Sequence, residues 1–318
     1  MDILKQLKWY IKKPFLFISY HYYCWRSSKY DYFCLKQLTK TFSLYSANDN
    51  NAERGNKCYG NYYILRNALG EKFQPKCMIE HGLYFYYTIV EECMQPGLDT
   101  IYTYSKLREN HIRETIGSRL DKQIIPVGPY IKYAKNFKSL DELRALKVKF
   151  GRILLAYPSH NFPNNEVSYN NDEFEKIIDE MAKDYDTVFI SMIGYDIELG
   201  ANQYYEDKGY VVVTSGSRSD PYFLNRQRDL IELADMTISN SIGTHIGYCI
   251  CLGTPHYLFA QKIDWAGGIK EQDRITLSTR VELYNAFGSR RPIITPQQIE
   301  IVKKYWGEFS DPVKQSFL

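Results

Sequence analysis

Short apolar runs alternate with amphipathic stretches along most of this chain. Residues 76–79, 100–103, 124–127, 152–156, 187–190, 210–213, 235–239 and 255–259 are brief and mostly apolar, and turn residues border most of them. That is the pattern of buried strands. Helical patterns with recognisable ends fall between them. Ser105 can cap a helix bearing Leu107, Ile112 and Ile116, and Gly117 can close it. Leu140, Leu143 and Leu146 lie at helical spacing. Asn170 and Glu173 form a capping pair ahead of Phe174, Ile177, Ile178 and Met181. Asp220-Pro221 predicts a helix that runs to about Ala234 with proline at its first position, and Thr295-Pro296 starts a last helix through Ile299, Val302 and Trp306. Residues 46–58 are polar and turn-rich and predict an exposed loop.

One strand-to-helix transition differs from the others. After Asp235-Met-Thr-Ile-Ser239 the chain breaks into Asn240, Ser241, Gly243 and Thr244, then resumes as Ile246, Cys249, Ile250 and Leu252. A strand, a hydroxyl-rich turn and a glycine at a helix start together build an anion site. Free N–H groups face a phosphate, hydroxyls add donors, and glycine lets the backbone approach. Taken alone, such a turn better suits a helix cap by Ser241 or Asn240.

Alternating strands and helices predict the α/β class, with parallel sheets covered by helices. The lysine-rich stretch 130–150 divides them into two sets. The expected organisation is an N-terminal Rossmann-like domain over 1–135, a crossover over 136–150, and a C-terminal Rossmann-like domain over 151–290. The two domains face each other across a cleft, and a helix over 291–318 packs back on the first. No internal repeat or low-complexity tract interrupts this pattern.

Composition narrows the classes. At 318 residues the chain can hold two cores. A hydrophobic content of 44% and a charged content of 24% describe a globular protein, not a disordered one. A net charge of +3 gives no case for nucleic acid. Seven cysteines form no CxxC pair and no regular framework, and an odd count without a signal peptide predicts reduced thiols and a cytoplasmic setting. Cys249 reads as a small core residue. No apolar run reaches the roughly 18–20 residues of a membrane span. Residues 1–40 stand apart, with eight Lys or Arg against two acids, a net of +6, among many aromatics. Ile3, Leu4, Leu7 and Ile11 recur there at helical spacing with lysines between. Such a segment can lie on a membrane surface with its lysines on anionic lipid, or pack on its own domain with the lysines in water. No RNA-binding module signature accompanies the charge.

Ligands of open α/β sheets bind at the carboxyl ends of strands. Four polar clusters sit at those ends: Glu80-His81-Gly82, Ser159-His160-Asn161, Ser215-Gly216-Ser217-Arg218, and Ser239-Asn240-Ser241 with Gly243, Thr244 and His245. Four of the six histidines (81, 160, 245 and 256) lie at or near them. Glu80 or His81 could supply a general base, which needs a pKa near neutrality and reach to a hydroxyl. His160 could bond or protonate a leaving phosphate, and Arg218 could pair with a phosphate or meet a base. No GxGxxG follows the first strand, and there is no P-loop, no GxSxG elbow, no HExxH motif and no closely spaced His/Asp set. Nicotinamide, P-loop, serine-hydrolase and metal-centred chemistries are therefore not predicted.

In this order the clusters resemble bacterial GT-B glycosyltransferases of surface-polysaccharide synthesis, most closely the CMP-sugar-using sialyltransferase group. That group carries an acidic–acidic–Gly motif, then His-Pro, then a pair of serines. Here His81 replaces the second acid, Asn161 replaces the proline, and Asn240 separates Ser239 from Ser241. The segments from Ile79 to Leu83 and from Ser239 to Tyr248 are also similar to proteins of O-antigen and capsule loci. The resemblance covers about residues 75–260. It implies a C-terminal domain that holds a nucleotide sugar, with His160 and Ser239 or Ser241 on its phosphate, and the strand-end clusters add Gly216, Arg218, Asn240, Gly243 and Thr244 to the expected donor site. Glu80 or His81 would deprotonate a glycan or lipid-linked oligosaccharide acceptor, giving inversion without a metal or other cofactor. The expected location is cytoplasmic and peripheral, at the inner face of the cell membrane through residues 1–40. Other polysaccharide-locus activities fit the same fold: pyruvyl or polyol-phosphate transfer, or sugar-nucleotide epimerisation. A non-catalytic membrane-associated assembly factor is the alternative of another class.

Overall fold

The computed structural model describes residues 3–117, 121–161, 166–266 and 275–317. The chain opens with α1 (Ile3–Ser27), which continues through Pro14. Pro14 is exposed, so water can satisfy the carbonyl it leaves without a helical donor. A short helix, α2 (Asn51–Asn56), precedes β1 (Cys77–Ile79) and β2 (Thr100–Thr103). After β2 come α3 (Lys106–Ile116) and β3 (Gln123–Pro126). These strands form a parallel sheet in the order β1-β2-β3.

The second unit follows α4 (Leu140–Phe150), which is closed at its start by a reciprocal bond between Ser139 and Glu142. It contains β4 (Ile153–Tyr157), β5 (Glu166–Ser168), α5 (Asn171–Ala182), β6 (Thr187–Ser191) and β7 (Val211–Val213). Then come α6 (Phe223–Leu233), β8 (Met236–Ser239), α7 (Thr244–Cys251), β9 (His256–Leu258) and β10 (Asp264–Ala266). The helices α8 (Leu277–Phe287) and α9 (Pro296–Trp306) end the described elements. The large sheet is parallel throughout, in the order β7-β6-β4-β8-β9. The chain steps from β4 out to β7, then returns to β8 on the other side of β4. That reversal opens a crevice at the carboxyl ends of β4 and β8.

The molecule is thus of the α/β class, with two Rossmann-like parallel sheets, as the periodicity predicts. All eight strands read from the apolar pattern are present, each within one residue of its expected bounds. Ser105, Asn170 and Thr295 accept the backbone N–H bonds expected of helix caps.

Several expectations are corrected. The loop predicted over 46–58 contains α2, because Asn50 accepts from the Ala52 N–H and caps a turn of helix. Its polar Asn56 is buried and stands in for a neighbouring strand on the outer edge of β1. It donates to the Cys77 carbonyl at 2.7 Å and accepts from the Ile79 N–H at 2.7 Å. The helix predicted from Pro221 starts at Phe223, since the Asp220 carboxylate accepts from the Tyr222 N–H at 2.8 Å and turns the chain first. A two-stranded antiparallel pair, β5 with β10, was not signalled by either three-residue segment.

Residues 20–42, grouped by sequence with the first domain, also contact the second. The Ser27 hydroxyl donates to Asp220 at 2.5 Å, and Arg226 donates to the Ser27 carbonyl at 2.6 Å. The Tyr32 carbonyl accepts from Thr214 N–H at 2.9 Å. The closing helix α9 touches both units. Trp306 donates to the Thr244 carbonyl at 2.9 Å, and its ring meets Phe85 edge-on. A Cβ on Gly247 would lie 2.4 Å from that indole, so this glycine makes room for Trp306.

Candidate functional site

The carboxyl ends of both sheets open on one cleft of about 610 Å³. The first unit contributes Tyr59, Asn61 and the run His81 to Phe85. The second contributes Tyr157 at the end of β4 and His160 beyond it, Asp196 after β6, Arg218 after β7, and Ser241 to His245 after β8, with Trp265 from β10 at the margin.

At the centre, residues from opposite units meet. Arg218 Nη2 lies 3.5 Å from His81 Nε2, and its Nε donates to Cys58 Sγ at 3.2 Å. The Arg218 carbonyl accepts from Tyr59 N–H at 2.8 Å. Tyr59 holds φ at +57°, a left-handed backbone that costs a side-chain residue about 1–3 kcal/mol. Next to it, a Cβ on Gly60 would stand 2.2 Å from the Pro221 carbonyl oxygen. Such close backbone approach requires glycine. This pair fastens the first unit to the loop that carries Arg218.

The helix N-terminus stands as the residue pattern suggests. Gly243 occupies the cap position of α7 in extended backbone, and among the described residues no side chain caps the helix. The first N–H groups of α7 therefore have no side-chain acceptor at that end. A Cβ on Gly243 would press on the His245 ring at 2.8 Å. The Thr244 hydroxyl accepts from Leu83 N–H at 3.2 Å, linking the β8 turn to the β1 loop.

Other expected site residues lie outside the cleft lining. Glu80 is 0% exposed, directly beneath the wall. Arg108 grips its carboxylate with Nη2 at 2.5 Å and Nε at 3.0 and 3.2 Å, and Thr103 donates at 2.6 Å. Of the two residues expected to offer a base, only His81 reaches the cleft. Ser239 is buried and donates to the Ser241 carbonyl at 2.9 Å, with His256 Nε2 3.0 Å away. The Asn240 amide is also committed. It accepts from the Ser159 N–H and hydroxyl and donates to Gln261. These two residues shape the turn from behind, while Ser241, Gly243 and Thr244 face the cleft. Gly216 has φ +108° and positions the turn ahead of Arg218 without lining the cleft.

The structure adds residues with no sequence signal. Asp196 lies past the end of β6, buried, and burial raises its pKa, while Asn161 donates to it from side chain and backbone. The strand-end rule reaches this position, but no histidine or Ser-Gly pattern marks it. Asn61 comes from the helical segment before β1. Its Oδ1 and the Nε2 of His245 are buried polar atoms on the cleft lining without a hydrogen-bond partner among the described residues. Buried polar atoms are nearly always paired, so such atoms from both units on one cleft leave hydrogen-bonding capacity that a polar ligand can take up. Among the described residues no group of three or more His, Cys, Asp or Glu is placed to hold a metal ion.

Two histidines, His245 at the start of α7 and His256 on β9, are held neutral. Burial pushes His245 down to about 3, with the charge of His160 adding to the effect, and its ring stacks on Tyr157 at 4.8 Å. Burial also lowers His256 well below its ordinary value, with His245 adding. An unfolded chain protonates such imidazoles below about pH 6.5, and the folded chain does not. Fold stability is therefore expected to be full above about pH 6.5 and to decline towards about pH 3, by up to about 1.4 kcal/mol per pH unit for the fully buried His256. Urea titrations across that range check this, and His256→Asn should reduce the slope.

No protein-family model matches the chain, and no curated protein matches it. Among solved structures, the wall teichoic acid polymerase TagF aligns with a TM-score of 0.36 and 15% identity over 58% of this chain and 48% of that one. The chain thus spans about half the length of that polymerase structure. A sucrose-phosphate synthase from Thermosynechococcus elongatus aligns at 0.32 and 15% identity, covering 78% of this chain and 67% of that one. Anabaena HepE, solved with UDP-glucose, aligns at 0.35 and 13%, covering 72% and 68%. No family follows from these likenesses. At such TM-scores they carry no residue role to this chain, and the fold assignment stands on the two sheets themselves.

Proposed function

We propose that this protein is an inverting glycosyltransferase that moves a sugar from a nucleotide donor to a hydroxyl of a growing cell-surface glycan. The observation that supports this most is the cleft itself. A potential base from one parallel sheet faces an uncapped helix N-terminus and an arginine from the other. In this reading the acceptor hydroxyl enters on the β1 side and gives its proton to His81 Nε2. Its oxygen attacks the anomeric carbon, and the bond from that carbon to the donor phosphate breaks. The leaving phosphate gathers charge against the N–H groups at the start of α7, the hydroxyls of Ser241 and Thr244, His160 and Arg218. That arrangement asks for no metal. A CMP-linked sugar is favoured by the order of the motifs, and the acceptor would be a lipid-linked O-antigen or capsule intermediate. The protein would work at the inner face of the cell membrane, held peripherally through its N-terminal segment.

A product assay with CMP-, UDP- and GDP-sugars and a lipid-linked glycan acceptor tests the class. Nucleotide release that depends on acceptor, with a lengthened glycan, is the expected result. Donor converted to its epimer without acceptor would replace this reading with sugar-nucleotide epimerisation.

A further inference from the structure

The outer part of α1 carries an apolar stripe that the rest of the described chain does not cover. Leu7, Ile11, Phe15, Ile18, Tyr22 and Trp25 are each between 59 and 70% exposed. With about 100° between successive residues, these six fall within about 80° of arc, on the side opposite the buried Tyr20, Tyr23 and Ser27. The helix has five Lys or Arg and no Asp or Glu. Lys8, Lys12 and Arg26 fall along one flank of the stripe, and Tyr10 and Phe17 along the other.

The inner end of the same helix is bolted to the cleft. Tyr23 and Ser217 share a hydroxyl hydrogen bond at 3.1 Å, Ser27 donates to Asp220, and Arg226 closes the set by pairing with Asp220 at 3.0 Å. All of these bonds are buried, and Ser217 and Asp220 flank Arg218 in the loop that reaches His81.

We infer that the exposed face of α1 docks on an anionic phospholipid surface, lying along it and holding the cleft at a fixed distance and orientation from the bilayer. This rests on the proposed use of a lipid-linked acceptor and specifies how that acceptor meets the site. Charge decides the occupant. A second copy of the helix laid antiparallel along the stripe would bring lysine flank against lysine flank, and in either orientation the helix has no acid to offset its basic residues. Anionic headgroups complement those lysines, while the aliphatic residues enter the acyl boundary and the aromatics sit at headgroup level. No helix among the described residues is long and apolar enough to cross a membrane, so the helix lies on the surface.

The test is flotation of the full chain with phosphatidylglycerol–phosphatidylcholine vesicles and with phosphatidylcholine vesicles alone. The expected result is binding to the anionic vesicles that weakens as salt is raised, with at least tenfold less on the neutral ones. Ile11→Asp with Phe15→Asp should abolish binding, and Lys8→Glu with Lys12→Glu should weaken it at least tenfold. All four substitutions lie on the exposed outer helix, so melting temperature and any nucleotide-induced stabilisation should stay unchanged. Those controls separate a failure of this inference from a failure of the donor-site reading. Absence of vesicle binding by the intact chain overturns the inference. So does a concentration-dependent dimer that Ile11→Asp dissolves, and so does equal binding to neutral and anionic vesicles.

Discussion

His81→Ala is expected to lower turnover by about 10²–10⁴-fold and leave donor binding in place. Among the described residues, His81 is the only histidine or carboxylate that the first unit presents to the cleft. Its Nε2 lies 3.5 Å from Arg218 Nη2 of the opposite unit, on the lining of the same cleft. A base acts on the acceptor proton in the transition state, so its loss should appear in kcat and spare the KM for donor. Steady-state kinetics with varied donor and fixed acceptor separate the two terms. Glu80→Gln supplies the contrast. Loss of turnover in Glu80→Gln at an unchanged melting temperature, with full turnover in His81→Ala, would move the base to Glu80 and contradict the geometry.

Arg108→Ala is expected to destabilise the fold by about 3–5 kcal/mol, a fall in melting temperature on the order of 10 °C. Arg108 is 1% exposed and spends its guanidinium on Glu80 and on the carbonyls of Tyr86 and Thr88. Removing it leaves a buried carboxylate with the Thr103 hydroxyl as its remaining side-chain donor, and frees the loop that presents His81 through Phe85. Arg108→Lys should recover little, because a single ammonium cannot meet a carboxylate and two carbonyls in the fork geometry. Replacing both partners, Glu80→Met with Arg108→Met, should be milder than Arg108→Ala alone, since no charge is stranded. Scanning calorimetry on the three variants measures this. An unchanged melting temperature in Arg108→Ala would show that the pair does not hold the loop.

Most of the architecture was legible because its signals are local. Short apolar runs gave the strands, and Ser105, Asn170 and Thr295 cap where a side-chain oxygen three residues ahead of a free N–H must cap. Strand-end clusters led to His81, His160, Arg218 and the Ser241–Thr244 turn, since parallel strands deliver their carboxyl ends to one side. What stayed hidden depends on distant partners. Glu80 beside His81 looks like half of a catalytic pair until Arg108, 28 residues on, is seen to claim it. Ser239 and Asn240 differ from Ser241 only in which way the strand end turns, and Asn61, Asp196 and Trp265 carry no local mark. Pairing of β5 with β10 spans about a hundred residues and follows from packing alone. The exposed face of α1 was only half visible. Helical spacing showed an apolar stripe, but not that the stripe faces away from the protein while the other side grips the Arg218 loop.

The central claim is a nucleotide seat at the start of α7, facing His81. Thermal shift with CMP, UDP and GDP on the intact chain and on Arg218→Ala measures it most directly. At least one nucleotide is expected to raise the melting temperature in a saturable way, with about 2.7 kcal/mol of stabilisation at a hundredfold excess over Kd, and Arg218→Ala is expected to weaken the effect. No shift with any of the three nucleotides would contradict it.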